Sequence, residues 1–154
     1  MINIGYYKSP IGIIKIKEED GYIVAVDFVE KAEKENLSET ILECKGQLEE
    51  YFKGERNSFD VKIKFTVGTE FQKRVWNELI NIDYGKIASY KDIAEKVGSP
   101  KGFRAVGGAN NKNPISIIVP CHRVVGANGK MVGYAGGVDK KVYLLELEKS
   151  GKFK

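Results

Sequence analysis

The chain has few residues of several types, and each shortage excludes a class of protein. It contains two cysteines, Cys44 and Cys121, which are too few for a disulfide framework. With the single histidine, His122, they make only three soft metal ligands, so we expect no structural zinc site and no cofactor. No apolar run approaches the roughly 18 residues of a membrane-spanning helix, and no signal-peptide pattern opens the chain. These shortages predict a cytoplasmic globular protein without a membrane partner.

The charge is unevenly distributed along the chain. The net charge is +4, but residues 1–66 carry about −3 and residues 67–154 carry about +7. Lysine and arginine release counterions from nucleic-acid phosphates, so a basic second half favours a polyanionic partner. A solvated lysine-rich surface explains the same charge equally well, and charge alone leaves both interpretations open.

The first half, residues 1–66, predicts a small α+β domain. Alternating apolar residues at 12–17, the Asp20-Gly21 turn and β-branched residues at 22–29 predict a strand hairpin. A helix is expected near 39–52, with Cys44 on its apolar face as an ordinary core residue, and a further strand over 61–65. No pattern in this half indicates chemistry.

The second half, residues 67–154, begins with helical patterns. Thr69 with Gln72, and Ser89 with Asp92, have the spacing of capping boxes, and a further helix is expected over 101–110. Two short helices around a glycine-containing turn are typical of a helix-turn-helix, although any compact helix pair gives the same pattern. A strand over 115–119, a glycine-rich loop at 133–137 and a last helix at 139–149 complete the prediction. The loop has neither P-loop nor dinucleotide-binding spacing.

The helix expected over 101–110 is almost bare of long side chains except Arg104. Its Gly107-Gly108 pair lowers helix propensity by about 0.8 to 1 kcal/mol per glycine. We therefore expect this helix to make a close contact, either with nucleic acid or with another helix of the same protein.

One cysteine stands beside the only histidine at the end of an apolar run. Buried cysteine is usually a small hydrophobe, but polar neighbours favour a nucleophile with a base. Neighbouring residues of a strand face opposite sides, so Cys121 and His122 can cooperate only if the chain turns after Pro120 or a water bridges them. Such a turn would lower the pKa of the thiol toward neutrality, and Glu146 or Glu148 of the last helix is the expected partner of the histidine.

Two runs of residues are specific enough to indicate a family. They are Pro120-Cys121-His122-Arg123-Val124-Val125 and Arg104-Ala105-Val106-Gly107-Gly108-Ala109, with Asn113-Pro114 between them. Together they resemble the O6-alkylguanine-DNA alkyltransferase family, over about residues 68–148, whereas residues 1–66 agree only in size and coarse pattern. The resemblance implies an α+β fold, with a small ribonuclease H-like α/β domain (1–66) before a winged-helix-like helix-turn-helix domain (67–154).

The resemblance also implies DNA repair by direct reversal of damage. Such a protein moves the alkyl group from O6-alkylguanine in double-stranded DNA onto its own cysteine, irreversibly and once per molecule. The base must leave the helical stack to reach the thiol. We therefore expect a monomer whose partner is alkylated DNA, with O4-alkylthymine left open as a second substrate.

Roles for individual residues follow from the resemblance. Cys121 is the implied nucleophile, His122 its base through a water, Glu148 the acceptor that orients the histidine, Tyr90 a proton donor and Asn113 a brace. The implied DNA contacts are Ser89, Tyr90, Arg104, Ala105, Gly107, Gly108 and Arg123, with Arg104 filling the gap left by the extruded base. The implied substrate pocket consists of Val124, Tyr134, Ala135, Gly136 and Lys141. Many relatives have serine where this chain has Ala135, which leaves the accepted alkyl groups open.

Two other functions remain to be distinguished. An alkyltransferase-like protein would bind O6-alkylguanine without removing the alkyl group, but those relatives lack the reactive cysteine and Cys121 argues against this reading. A Cys-His hydrolase of small acyl substrates would need an oxyanion hole, and no motif of known spacing supplies one.

Overall fold

The computed structural model describes residues 1–134 and 136–150 of the chain. Within them, an antiparallel three-stranded sheet and one helix form the first part. Four further helices and a short pair of parallel strands form the second part. This arrangement confirms the predicted α+β class, with a small sheet domain before a helical domain.

The first sheet has the strand order β1-β2-β3, formed by Ile2–Ser9, Gly12–Glu19 and Tyr22–Val29. The turn between β2 and β3 uses left-handed backbone at Asp20 (φ 52°) and Gly21 (φ 86°), as the Asp-Gly pair predicts. The sequence analysis does not identify β1. Gly5 in this strand makes room for helix α1, because a Cβ atom there would stand 2.4 Å from the side chain of Ile41.

Helix α1 spans Glu39–Phe52, as predicted, and begins at Ser38, whose hydroxyl accepts a hydrogen bond from the Ile41 amide. The prediction of a strand over 61–65 is wrong. Its backbone pairs only around Ile23 of β3, through two hydrogen bonds of 2.8 and 3.1 Å. Alternating apolar residues there cover the core without joining the sheet.

The second part begins with three helices, α2 (Glu70–Leu79), α3 (Tyr90–Lys96) and α4 (Phe103–Asn111). Both predicted capping boxes are present, at Thr69 and at Ser89. Helices α3 and α4 form the helix-turn-helix. The indole of Trp76 in α2 donates a 2.8 Å hydrogen bond to the Ala109 carbonyl and so fixes α2 against α4.

The segment 115–119 is a tight loop, and the strand predicted there is wrong. Ile117 has left-handed backbone (φ 72°), which interrupts an extended conformation, and only isolated bridges form at Ile115 and Ser116. Two hydrogen bonds to Val26 attach this loop to β3. The first sheet therefore lies directly behind the Cys121 segment.

The last elements frame that segment. Strand β4 (Ala88–Ser89) pairs in parallel with β5 (Val124–Val125), and helix α5 (Val138–Ser150) packs against the turn at Cys121. One hydrophobic core runs through both parts of the protein and includes Cys44, which is fully buried. Among the described residues, no helix combines the length and apolar composition required for crossing a membrane.

Candidate active site

The chain turns immediately after Pro120, as cooperation between Cys121 and His122 requires. Residues Cys121–Arg123 form one turn of 3₁₀ helix, closed by a 3.0 Å hydrogen bond from the Arg123 amide to the Pro120 carbonyl. The turn follows an apolar loop and precedes β5. It holds three consecutive polar or reactive side chains inside the protein, where all three are buried.

The carboxylate of Glu148 is the centre of the polar contacts at this turn. Its Oε2 atom lies 2.7 Å from Nε2 of His122 and accepts a 2.6 Å hydrogen bond from the Tyr51 hydroxyl. Arg123 donates to both carboxylate oxygens, at 2.9 and 3.0 Å, and the Gly85 amide donates at 3.1 Å. Glu148 is only 1% exposed, so these donors replace its water shell.

The surroundings set the charges of Glu148 and His122. Burial alone would raise the pKa of Glu148, but hydrogen bonds and charge from His122 and Arg123 outweigh it and hold this pKa far below its usual range. Burial lowers the pKa of His122, which favours a neutral ring at neutral pH. A neutral ring that donates from Nε2 to Glu148 has an acceptor at Nδ1. Nδ1 is buried, and within the described residues it has no hydrogen-bond partner.

The pKa of the Cys121 thiol is raised, whereas the sequence led us to expect a lowered value. Its residue is 2% exposed, and burial raises the pKa of the thiol to about 11. A hydrogen bond from Asn113 and the charge of Lys141 act in the opposite direction without compensating. The expectation overlooked burial, because adjacent polar residues in a sequence do not show how far the turn sinks into the core. Cys121 is therefore buried in this structure, and its surroundings favour the protonated thiol.

Two asparagines hold the backbone around the thiol. The Asn113 side chain donates to the Val119 carbonyl (2.8 Å) and accepts from the Ile115 amide (3.0 Å), which closes the loop that leads to Cys121. The Asn110 side chain, in the last turn of α4, donates to the Cys121 carbonyl at 3.2 Å. Helix α4 and the turn at Cys121 are therefore joined directly.

Tyr90 and Lys141 hold the loop at Val132 and Gly133. The Tyr90 hydroxyl donates to the Val132 carbonyl at 2.9 Å, and the Lys141 ammonium donates to the carbonyls of Val132 and Gly133 at 2.8 and 3.0 Å. The same ammonium lies 5.7 Å from the centre of the Tyr90 ring. Burial lowers the pKa of Lys141 to about 8.

The remaining pocket residues lie around this loop. Val124 and Tyr134 are buried, and the Tyr134 ring centre lies 6.5 Å from that of Phe28 in β3. Gly136 is required for this packing, since a Cβ atom there would be 2.8 Å from the Phe28 ring. Ala135 lies outside the described residues. A cavity of about 210 Å³ opens beside Asn113, Gly136 and Phe28, at the edge of the site.

Helix α4 presents a face of small side chains to solvent. Arg104, Ala105 and Gly108 are exposed, and no atom would lie within 4 Å of a Cβ added to Gly108. Gly107 faces inward, and a Cβ atom there would contact the Tyr90 ring at 3.9 Å. Ser89 is half-buried, and its hydroxyl caps α3.

The expectation that Arg123 contacts DNA requires a correction, because its side chain is buried. It is 7% exposed, and its guanidinium is occupied by Glu148 and by the Ile82 carbonyl, the latter at 2.6 Å. A phosphate could reach this group only after those bonds break. In this structure, Arg123 binds the carboxylate of Glu148.

Sequence reasoning missed Tyr51, Gly85 and Asn110. Tyr51 lies 97 residues from Glu148, and no local pattern reveals such a pairing. Asn110 carried a usable signal, since it is a polar residue on a helix with otherwise small side chains. Of the two proposed carboxylates, Glu148 contacts His122, whereas Glu146 is exposed. Among residues 1–134 and 136–150, no cluster of three or more His, Cys, Asp and Glu side chains is placed to hold a metal ion.

Comparison with known proteins gives consistent matches over nearly the whole chain. Residues 2–65 match the family model described as 6-O-methylguanine DNA methyltransferase, ribonuclease-like domain, and residues 70–150 match that of its DNA binding domain. The methylated-DNA–protein-cysteine methyltransferase of Methanosarcina acetivorans is 51% identical over 94% of this chain and 96% of that protein.

Solved structures agree. The O6-methylguanine methyltransferase of Mycobacterium tuberculosis superimposes with a TM-score of 0.88 at 42% identity, covering 97% of this chain and 94% of that one. The same organism's OGT in complex with DNA gives a TM-score of 0.86 at 42% identity, over 94% and 91% of the two chains. On these matches, the chain belongs to the 6-O-methylguanine DNA methyltransferase family.

Proposed function

We propose that this protein repairs DNA by taking the alkyl group from O6-alkylguanine in a duplex onto Cys121, as a single-turnover methylated-DNA–protein-cysteine S-methyltransferase. The observation that carries the proposal is the geometry of His122. Its Nε2 atom lies 2.7 Å from ionised Glu148, which leaves Nδ1, on the residue next to the thiol, as the site that accepts a proton.

The proposed reaction moves one proton and one alkyl group. The thiol proton moves through a water to Nδ1 of His122, and the bond from Cys121 Sγ to the alkyl carbon forms as the bond from that carbon to O6 breaks. The electron pair of the broken bond stays on the guanine oxygen. Tyr90 gives guanine a proton and recovers one from the imidazolium, so the thiol proton ends on guanine. The products are a thioether on Cys121 and unmodified guanine.

The exposed face of α4 supports binding in the minor groove. Arg104, Ala105 and Gly108 present one long cationic side chain among small ones, and a narrow groove admits a helix only when its contacting face is nearly bare. Arg104 fills the gap left by the extruded guanine. Ser89, Gly107 and Tyr90 lie beside this face, and the excess of positive charge in residues 67–154 favours phosphate contact.

The extruded base would enter beside Val124, Tyr134, Gly136 and Lys141, where the cavity next to Asn113 marks the edge of the pocket. This entrance requires the loop at Val132 and Gly133 to move away from Tyr90 and Lys141. Ala135 carries no hydroxyl that could contact O6. We further propose that the protein acts as a monomer in the cytoplasm, where its two free cysteines stay reduced.

The test uses duplex DNA with an isotopically labelled methyl group on O6 of guanine. We expect one label per protein molecule, on the peptide that contains Cys121, and a permanent mass gain of one methyl group. Cys121→Ser should abolish transfer and retain DNA binding, while Cys44→Ala, the matched change at the other cysteine, should transfer normally. A label that stays on DNA in the wild-type protein would instead indicate a damage-binding protein without transfer.

The role of Arg104 needs a second substrate. Arg104→Ala should slow repair of duplex DNA much more than reaction with a free O6-alkylguanine, because only the duplex requires extrusion of a base. Equal losses with the two substrates would remove Arg104 from that role.

A further inference from the structure

The catalytic carboxylate is bound by a residue from the first part of the chain. Tyr51 belongs to α1, is fully buried, and places its hydroxyl 2.6 Å from Oε2 of Glu148. This is the same oxygen that lies 2.7 Å from Nε2 of His122. The other groups assigned to the reaction all come from residues 67–154, so this contact crosses between the two parts of the protein.

The position of Tyr51 is fixed by the aromatic rings around it. Its ring centre lies 5.4 Å from that of Phe52, 5.6 Å from that of Phe59 and 6.3 Å from that of Tyr84. Phenylalanine would fill this space equally well. A buried hydroxyl is unfavourable unless it is hydrogen-bonded, so the phenol oxygen is explained by its contact with Glu148 and not by packing.

We propose that Tyr51 is a positioning residue for alkyl transfer, through which the first domain orients Glu148 and limits the basicity of His122. The inference rests on the proposed function, because it assigns His122 the thiol proton. By donating to Oε2, Tyr51 fixes the direction in which that oxygen meets Nε2. It also takes up part of the carboxylate charge, so Glu148 stabilises the imidazolium less strongly than it would without this donor.

The surroundings keep Tyr51 in the donor state. Burial and the nearby charge of Glu148 raise the pKa of the phenol well above its ordinary value, so the hydroxyl retains its proton at working pH. Several other titratable groups face His122 and Glu148 and remain in place when Tyr51 is changed. They are Arg123, Lys141, Cys121, Tyr84 and Tyr134.

The experiment compares Tyr51→Phe with the control Tyr7→Phe, which changes a tyrosine that packs on Phe52 at 6.0 Å between ring centres. Single-turnover transfer from labelled duplex DNA is measured against pH. Because the chain has one histidine, ring ¹⁵N resonances of the free protein report the pKa and tautomer of His122 directly. Tyr51→Phe should raise that pKa by about half a unit and slow transfer about threefold on the acidic limb. Tyr7→Phe should leave both unchanged.

A second variant retains the shape of the side chain. Replacing Tyr51 with 3-fluorotyrosine strengthens the phenol as a donor and should lower the pKa of His122, opposite to Tyr51→Phe. This arm decides the question if Tyr51→Phe folds poorly. Wild-type resonances and pH profiles in both variants would overturn the role of Tyr51 while leaving transfer to Cys121 intact. Failure of the wild-type protein to take up label would instead overturn the proposed function.

Discussion

Replacing Arg123 should lower the free energy of unfolding of the protein without weakening its binding to DNA. The guanidinium makes three hydrogen bonds, at 2.9 and 3.0 Å to Glu148 and 2.6 Å to the Ile82 carbonyl. The side chains of Arg123 and Glu148 are 9% and 1% exposed. Solvent therefore screens this pair little, unlike a surface ion pair.

The size of the effect follows from this burial. Arg123→Met keeps much of the side-chain volume but leaves the Glu148 carboxylate without its counter-charge, and removing one partner of a buried pair costs about 3 to 5 kcal/mol. Arg123→Lys keeps the charge but cannot bridge both oxygens, so we expect a smaller loss. Urea denaturation measures the loss of stability in both variants. It is done at low temperature, because a loss of about 3 to 5 kcal/mol is a large share of a typical free energy of unfolding of about 5 to 15 kcal/mol.

DNA binding separates this role from a phosphate contact. Each phosphate contact contributes about 0.9 to the slope of log affinity against log salt concentration. Arg123 makes no phosphate contact in this assignment, so Arg123→Met should leave that slope unchanged under conditions where the variant is folded. A lowered slope in Arg123→Met, together with a wild-type urea midpoint, would refute the reasoning.

Three further predictions concern pH, thiols and packing. Because folding lowers the pKa of His122 and of Glu148, the unfolded chain takes up protons at these groups first; the stability that depends on them is complete above about pH 6.5 and is lost as pH falls, and His122→Gln should remove the first step in pH-dependent urea melts. Burial raises the pKa of Cys44 to about 12 and of Cys121 to about 11. A thiol reagent at pH 7.5 should therefore label both cysteines rapidly only after unfolding, and fast labelling of the native protein would contradict this burial. Gly68→Ala should lower the free energy of unfolding by about 1 to 3 kcal/mol, because Gly68 has φ 104° and a Cβ atom there would lie 2.5 Å from the Trp76 ring. Unfolding monitored by Trp76 fluorescence measures this loss.

The sequence predicts those features that depend on neighbouring residues. The caps at Thr69 and Ser89 form within one helical turn of their partners, and the Asp20-Gly21 turn is set by its own backbone preference. The turn that carries Cys121 and His122 is likewise local. Such features are visible in a single sequence because no distant contact is needed to form them.

Features that depend on tertiary contacts were not predictable. The alternation at 61–65 and the apolar run at 115–119 are typical of strands, yet their hydrogen bonds are decided by β3, which offers each segment only one or two partners. Arg123 reads as a surface cation in a basic half until Glu148 is placed beside it. Tyr51 sits in the half that shows no chemistry in its sequence, and only folding brings it to the carboxylate.

Burial of the thiol has a consequence for the order of events in the proposed reaction. Burial raises the pKa of the Cys121 thiol to about 11, which favours the protonated thiol over a pre-formed thiolate in the resting protein. In the proposed reaction, the proton therefore leaves after the guanine has entered and the loop at Val132 and Gly133 has moved, when water connects the thiol with His122. Opening that loop breaks the Tyr90 hydrogen bond to Val132, which frees the same hydroxyl to protonate the leaving guanine. In this proposal, burial of the resting thiol and its activation by the entering base depend on the same set of contacts.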